Sequence, residues 1–104
     1  MPEKRHFSYD EAAALLPEVQ KLTDQAKRQV EELGTPSSEE AQNRIGEIVT
    51  GWARTLVAMG LEVKGLWLVD FDNGSGYYCW QYPEPGLQYY HTYKDGFRGR
   101  MRIQ

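Results

Sequence analysis

A chain of 104 residues has room for one domain with a thin core, because the buried share of surface falls as chains shorten. Hydrophobic residues make up 40% and charged residues 26%, which places the chain among globular proteins and excludes wholesale disorder. A formal net charge of -3 excludes a global attraction to nucleic acid or to an anionic membrane, so no partner of either kind is expected.

Cys79 is the only cysteine, so no internal disulfide can form, as suits a reducing compartment. The opening "MPEKRHFSYDEAA" holds no apolar run of the secretory type, and no stretch approaches the ~20 apolar residues of a membrane span. A cytoplasmic location is the expectation. The aromatic residues fall late, with only Phe7, Tyr9 and Trp52 ahead of Trp67. An aliphatic, charged first half and an aromatic, glycine-rich second half point to two structural halves in a single domain spanning 1–104.

The first half reads as two helices. "SYDE" from Ser8 is a capping box, in which Ser8 and Glu11 satisfy each other's backbone amides. Behind it Leu15, Val19, Leu22, Ala26, Val30 and Leu33 form one apolar stripe, which predicts a helix over 8–33. Pro17 removes one backbone hydrogen bond and predicts a kink. Gly34 and Pro36 stop this helix, and a second is expected over 37–60, capped by Ser37 with Glu40 or by Ser38. Its stripe is Ala41, Ile45, Ile48, Trp52, Leu56 and Met59, and Gly60 is placed to close it. Gly46 and Gly51 in its interior would be explained by close packing on the first helix. The short connection makes the two helices antiparallel neighbours.

The second half reads as a three-stranded antiparallel meander over 66–93. Its strands are "LWLVDF", "YYCWQY" and "LQYYHTY", joined by "DNG" and "PEPG" turns and followed by a tail over 94–104. The expected class is therefore α+β, an antiparallel two-helix hairpin packed on a three-stranded antiparallel β-meander. A two-residue Asn73-Gly74 turn and a second turn centred on Glu84-Pro85 put Trp67, Val69, Phe71, Tyr78, Trp80, Tyr82, Leu87, Tyr89 and His91 on the core face. In that register Asp70 and His91 lie on opposite faces, and a change of parity in the first turn would unite them. The other face is apolar enough to be covered by the tail or by a second copy of the chain, so a homodimer is expected.

Unperturbed imidazole titrates near neutrality, so His91 could act as a base or a metal ligand, or be an inert histidine among tyrosines. Asp70 could orient it, or accept hydrogen bonds at a strand end; Asp72 belongs to the turn. Glu84, between two prolines, stands on an exposed corner. Cys79 has no activating partner within the motif and reads as a buried structural cysteine. Arg100, in "GFRGR", is either a clamp for the tail or a receiver for an anion. The candidate catalytic set is thus His91, Asp70 and Arg100, and the candidate divalent-metal set is His91, Glu84 and Asp70. No cofactor is predicted. No phosphate loop, dinucleotide fingerprint, nucleophile elbow or HExxH helix is present.

In chain order, "FSYDEAAALLPEV", "GLEVKGLWLVDF", "CW", "EP", "YH" and "GFRGR" resemble the bacterial domain-of-unknown-function family numbered 2203. The resemblance spans nearly the whole chain. It implies no activity, but it singles out Asp70, Trp80, Glu84, His91, Gly96, Gly99 and Arg100. The family pattern has a longer loop before "CW" and a "GEPE" turn, where this chain has "DNGSGYY" and "PEPG". Two functions are in play. One is a non-enzymatic binding or assembly module with a protein partner. The other is a small metal-binding protein or hydrolase-like enzyme using His91, an acidic residue and Arg100.

Overall fold

The structure, a computed structural model, describes residues 5–103. Residues 1–4 and 104, which the expected single domain includes, lie outside the described residues. Helix α1 spans Tyr9–Glu32 and α2 spans Glu39–Ala58. Five strands follow: β1 Glu62–Gly65, β2 Leu68–Asp72, β3 Gly76–Gln81, β4 Tyr89–Thr92 and β5 Met101–Arg102, with a short 3-10 turn at Phe97–Gly99. The class is α+β.

Ser8 caps α1 as expected. Its hydroxyl accepts from the Glu11 amide at 3.1 Å, and the Glu11 carboxylate accepts from the Ser8 amide at 2.9 Å. The helix continues through Pro17. Ser38, not Ser37, caps α2, accepting from the Ala41 amide at 3.1 Å. At the far end the Gly60 amide donates to Val57 and the Leu61 amide to Leu56, with Gly60 at φ +96°. Only a left-handed residue completes that pattern, which explains the glycine.

Core residues of α1 are Ala12, Leu16, Val19, Thr23 and Ala26, a stripe rotated by one position from the expected one, with Leu15 and Leu22 at its edges. Residues of both helices join Val69, Phe71 and Trp80 of the sheet in one cluster. The two polar groups drawn into it are satisfied: the Trp52 indole donates to the Thr23 hydroxyl at 2.8 Å, and that hydroxyl donates to the Val19 carbonyl at 2.7 Å. Close packing does not explain Gly46 and Gly51. A Cβ at either would meet no atom within 4 Å. Each therefore carries the full helix-propensity cost of about 1 kcal/mol relative to alanine.

The sheet has five strands in the order β1-β2-β3-β4-β5, antiparallel throughout, where three were expected. β1 was missed because "EVKG" is short and half-charged. β5 is a two-residue addition to the β4 edge, held also by the Ile103 amide on the Gln88 carbonyl. Trp67, at φ +60°, turns the chain between β1 and β2 and rests its ring on Trp52 at 4.9 Å.

The register decides what shares a face. The β2–β3 turn holds two residues, Gly74 and Ser75, one position later than expected, with the Asn73 amide bonded to the Gly76 carbonyl. A shift of one residue on both strands preserves parity. Val69, Phe71, Tyr78 and Trp80 therefore remain together on the core side. The second connection breaks the expectation. β3 and β4 pair Gly76 with Thr92, Tyr77 with His91, Tyr78 with Tyr90 and Cys79 with Tyr89. That is an odd displacement relative to a turn centred on Glu84-Pro85, so all of β4 is turned over. Tyr89 and His91 leave the core face and join Asp70, Tyr77 and Cys79 on the other.

The cause lies in the corner. Pro83 and Pro85 cannot donate to a ladder, and β3–β4 pairing ends at Cys79 and Tyr89, short of the corner. The chain is held there by side chains instead. The Glu84 carboxylate accepts from the Gln81 amide at 2.8 Å, and the Trp80 indole donates to the Glu84 carbonyl at 2.8 Å. Leu87 dips into the core from this irregular stretch, outside any strand alternation. Gly76 completes the arrangement. A Cβ on it would come within 2.7 Å of the His91 carbonyl, so a side chain there would push β4 away.

Candidate functional site

Asp70 lies in the middle of β2, not at its end, and Cys79 stands directly across from it on β3. His91 follows on β4, opposite Tyr77. Three adjacent strands thus deliver three chemically distinct side chains to one patch of the sheet. All three are buried.

His91 has a fixed tautomer. Its Nδ1 lies 2.8 Å from the Thr92 carbonyl, which can only accept, so Nδ1 carries a proton. Its Nε2 lies 3.0 Å from Asp70 Oδ2. A lone pair on nitrogen cannot face a carboxylate at that distance without a proton between them, so the two residues share one. Burial pushes the Asp70 carboxyl above the usual range, against the opposing pull of His91, of the Cys79 thiol and of Lys64. Asp70 Oδ1 is buried without a hydrogen-bond partner among the described residues.

Cys79 is a thiol, not a thiolate. Burial, and then the Asp70 carboxylate beside it, push it up to about 12, against the pull of Arg100. That shift disfavours the thiolate that an unaided nucleophile would need. The expected inert cysteine is nonetheless placed against the two most chemically competent residues in the sheet.

Around this floor stand residues that the sequence did not single out. Lys64 on β1 holds its ammonium 3.3 Å from Glu62 and 3.9 Å from Asp70 Oδ2, over the Tyr77 ring at 4.2 Å. The Tyr77 hydroxyl donates to Glu62 at 3.1 Å. A cavity of about 250 Å3 opens above, lined by Asp70, Cys79 and His91 below and by Lys64, Tyr93 and Phe97 at its sides. The tail thus covers part of the second sheet face, as one of the two expected coverings. The alternation of β3 and β4 was the available signal for Cys79, but it depends on a register that proline-rich corners leave open.

Arg100 and Glu84 belong elsewhere. Arg100 Nη1 lies 3.0 and 2.8 Å from the two Glu84 carboxylate oxygens, and its guanidinium sits over the Tyr89 and Phe97 rings at 4.1 Å each. Glu84 is not an exposed corner: its side chain is only 18% exposed in this pair. Arg100 is the tail clamp, and it does not line the cavity, although its Nη1 passes 4.0 Å from Cys79 Sγ. Gly99 lets the clamp form, since a Cβ there would collide with the Asp95 side chain at 2.5 Å. Gly96 is exposed at the start of the 3-10 turn. Trp80 is a core residue.

Asp72 is more than a turn residue. It is buried and accepts from the Gly74 amide at 2.9 Å and from the Tyr93 hydroxyl at 2.6 Å. His6 has a half-exposed side chain and brings Nε2 to 3.9 Å from Asp72 Oδ2. These contacts tie the chain before α1 and the turn after β4 to the same edge of the site.

Among the described residues no helix is long and apolar enough to cross a membrane. Neither a search of curated proteins nor one of solved structures finds a match to the chain. The model of a family of uncharacterised conserved proteins, domain of unknown function 2203, matches residues 5–103, and the chain belongs to that family.

Proposed function

We infer that this chain is a binding module, that its helical hairpin backs the sheet, and that it binds on the opposite sheet face at the floor made by Asp70, Cys79 and His91. One observation carries this reading: a proton-sharing imidazole–carboxylate pair, buried beside a thiol, forms the base of a cavity. Apolar residues of similar volume would serve the fold as well or better, because buried charged pairs recover their desolvation cost poorly. Perturbed titratable groups cluster at functional sites, and a concavity lined by them is a candidate binding site.

The hydrolase-like alternative loses its anion receiver, since Arg100 is spent on Glu84. The test is protein-observed NMR with acetate, phosphate, methylammonium and Zn2+ as separate probes. Shifts should concentrate on Lys64, Asp70, Tyr77, Cys79, His91 and Tyr93. Shifts confined to the groove between the helices, around Arg44, Glu47 and Trp52, or no shifts from any probe, would overturn the reading.

A further inference from the structure

The floor has the chemistry of one ligand class. Resting on the binding reading above, we propose that Asp70, Cys79 and His91 are the three protein ligands of a divalent transition metal of the zinc class, with an open coordination position facing the cavity.

Geometry comes first. One ligand atom from each residue lies within 4.8 Å of the others. The His91 Nε2 to Asp70 Oδ2 separation is 3.0 Å. Two ligands each about 2.0–2.1 Å from one ion stand roughly 3.0–3.4 Å apart, so this pair is already at coordination spacing. Sulfur, with its longer bond of about 2.3 Å, reaches the same centre by an adjustment of the Cys79 side chain.

The outer contacts are those a metal ligand needs. His91 Nδ1 is tied to the Thr92 carbonyl at 2.8 Å, which leaves Nε2 as the ligating nitrogen and fixes the ring plane. Asp70 keeps Oδ1 buried without a hydrogen-bond partner among the described residues, a second lone-pair donor that the fold does not use. Each ligand comes from a different strand, so the set is held by the ladders of β2, β3 and β4 and not by a loop.

Charge and softness select the metal. A carboxylate, a thiolate and a neutral imidazole balance a dication. Of the two cations beside the ligands, Lys64 is balanced by Glu62 at 3.3 Å and Arg100 by Glu84 at 2.8 Å. Calcium and magnesium take oxygen ligands almost exclusively, whereas thiolate with imidazole suits zinc and its neighbours. Three protein ligands and an open position are the pattern of reactive zinc sites, while structural sites close with four. The cavity of about 250 Å3 leaves space over that position for water or a small anion.

The test is Co2+ titration of the protein purified without a histidine tag, followed in the near ultraviolet. A sulfur-to-cobalt charge-transfer band saturating at one ion per chain and displaced by Zn2+ is expected. Cys79→Ser should abolish the band while retaining the fold by circular dichroism. Asp70→Asn and His91→Gln should weaken binding by more than the roughly 10- to 100-fold that loss of an outer contact costs. Should Cys79→Ser fail to fold, wild-type stoichiometry and the Asp70→Asn loss decide. No band at stoichiometric Co2+, or a band that survives in Cys79→Ser, overturns the metal site. If acetate or phosphate still shifts the site residues, the loss is confined to the metal; if no probe does, the binding face falls with it.

Discussion

His91→Leu is expected to destabilise the domain by about 3–5 kcal/mol, whereas Asp70→Val combined with His91→Leu should be within about 1 kcal/mol of wild type or more stable. The single change strands a carboxylate that is 2% exposed, with Lys64 at 3.9 Å as its nearest cation. The double change removes both polar groups and substitutes strand-compatible apolar side chains on a buried face. Urea unfolding of the four proteins in the cycle measures the difference. A strongly destabilised double variant would mean that the pair serves the fold. The expected result, stability kept and metal binding lost, is the signature of residues retained at the expense of the fold for something else.

A comparable loss is expected from Trp80→Ala, about 3–5 kcal/mol, for a different reason. Trp80 is 1% exposed and packs among residues of the sheet and both helices. Its removal leaves a cavity that a thin core closes poorly. It also takes the indole donor from the Glu84 carbonyl, loosening the corner that presents Glu84 to Arg100. Set against a typical total stability of roughly 5–15 kcal/mol, the loss is large enough to raise the unfolded fraction visibly. Val57→Ala, on the exposed side of α2 at 56% exposure, should move the urea midpoint by the equivalent of less than about 0.5 kcal/mol and serves as the control.

The parts that were legible in the sequence are those fixed by local chemistry. The Ser8 capping box, the Gly60 closure and the alternation within β2 and β3 each follow from a few adjacent residues. The rotated α1 stripe shows the limit of that reading. Thr23 is polar and stands outside the expected stripe, yet it is buried because its hydroxyl can donate to Val19 while accepting from Trp52. The site itself was hidden by one residue of register. Asp70 and His91 were both suspected, and they are in contact, but the contact depends on the connection from Tyr82 to Gln88. That path is set by long-range side-chain bonds from Glu84 and Trp80, which no turn rule contains. Cys79 was set aside for the same reason: its partners arrive from other strands. Arg100 was equally ambiguous, and only the placement of Glu84 decides that it clamps the tail.

The central claim is that β4 is turned so that His91 meets Asp70 and Cys79 on the sheet face away from the helices. Nuclear Overhauser spectra of the labelled protein read this directly. His91 ring protons should show cross-peaks to the Tyr77 ring, whose centroid lies 5.3 Å away, and to the Cys79 β-protons. Cross-peaks from His91 to the Tyr78 and Trp80 rings instead would put it back on the core side and contradict the site.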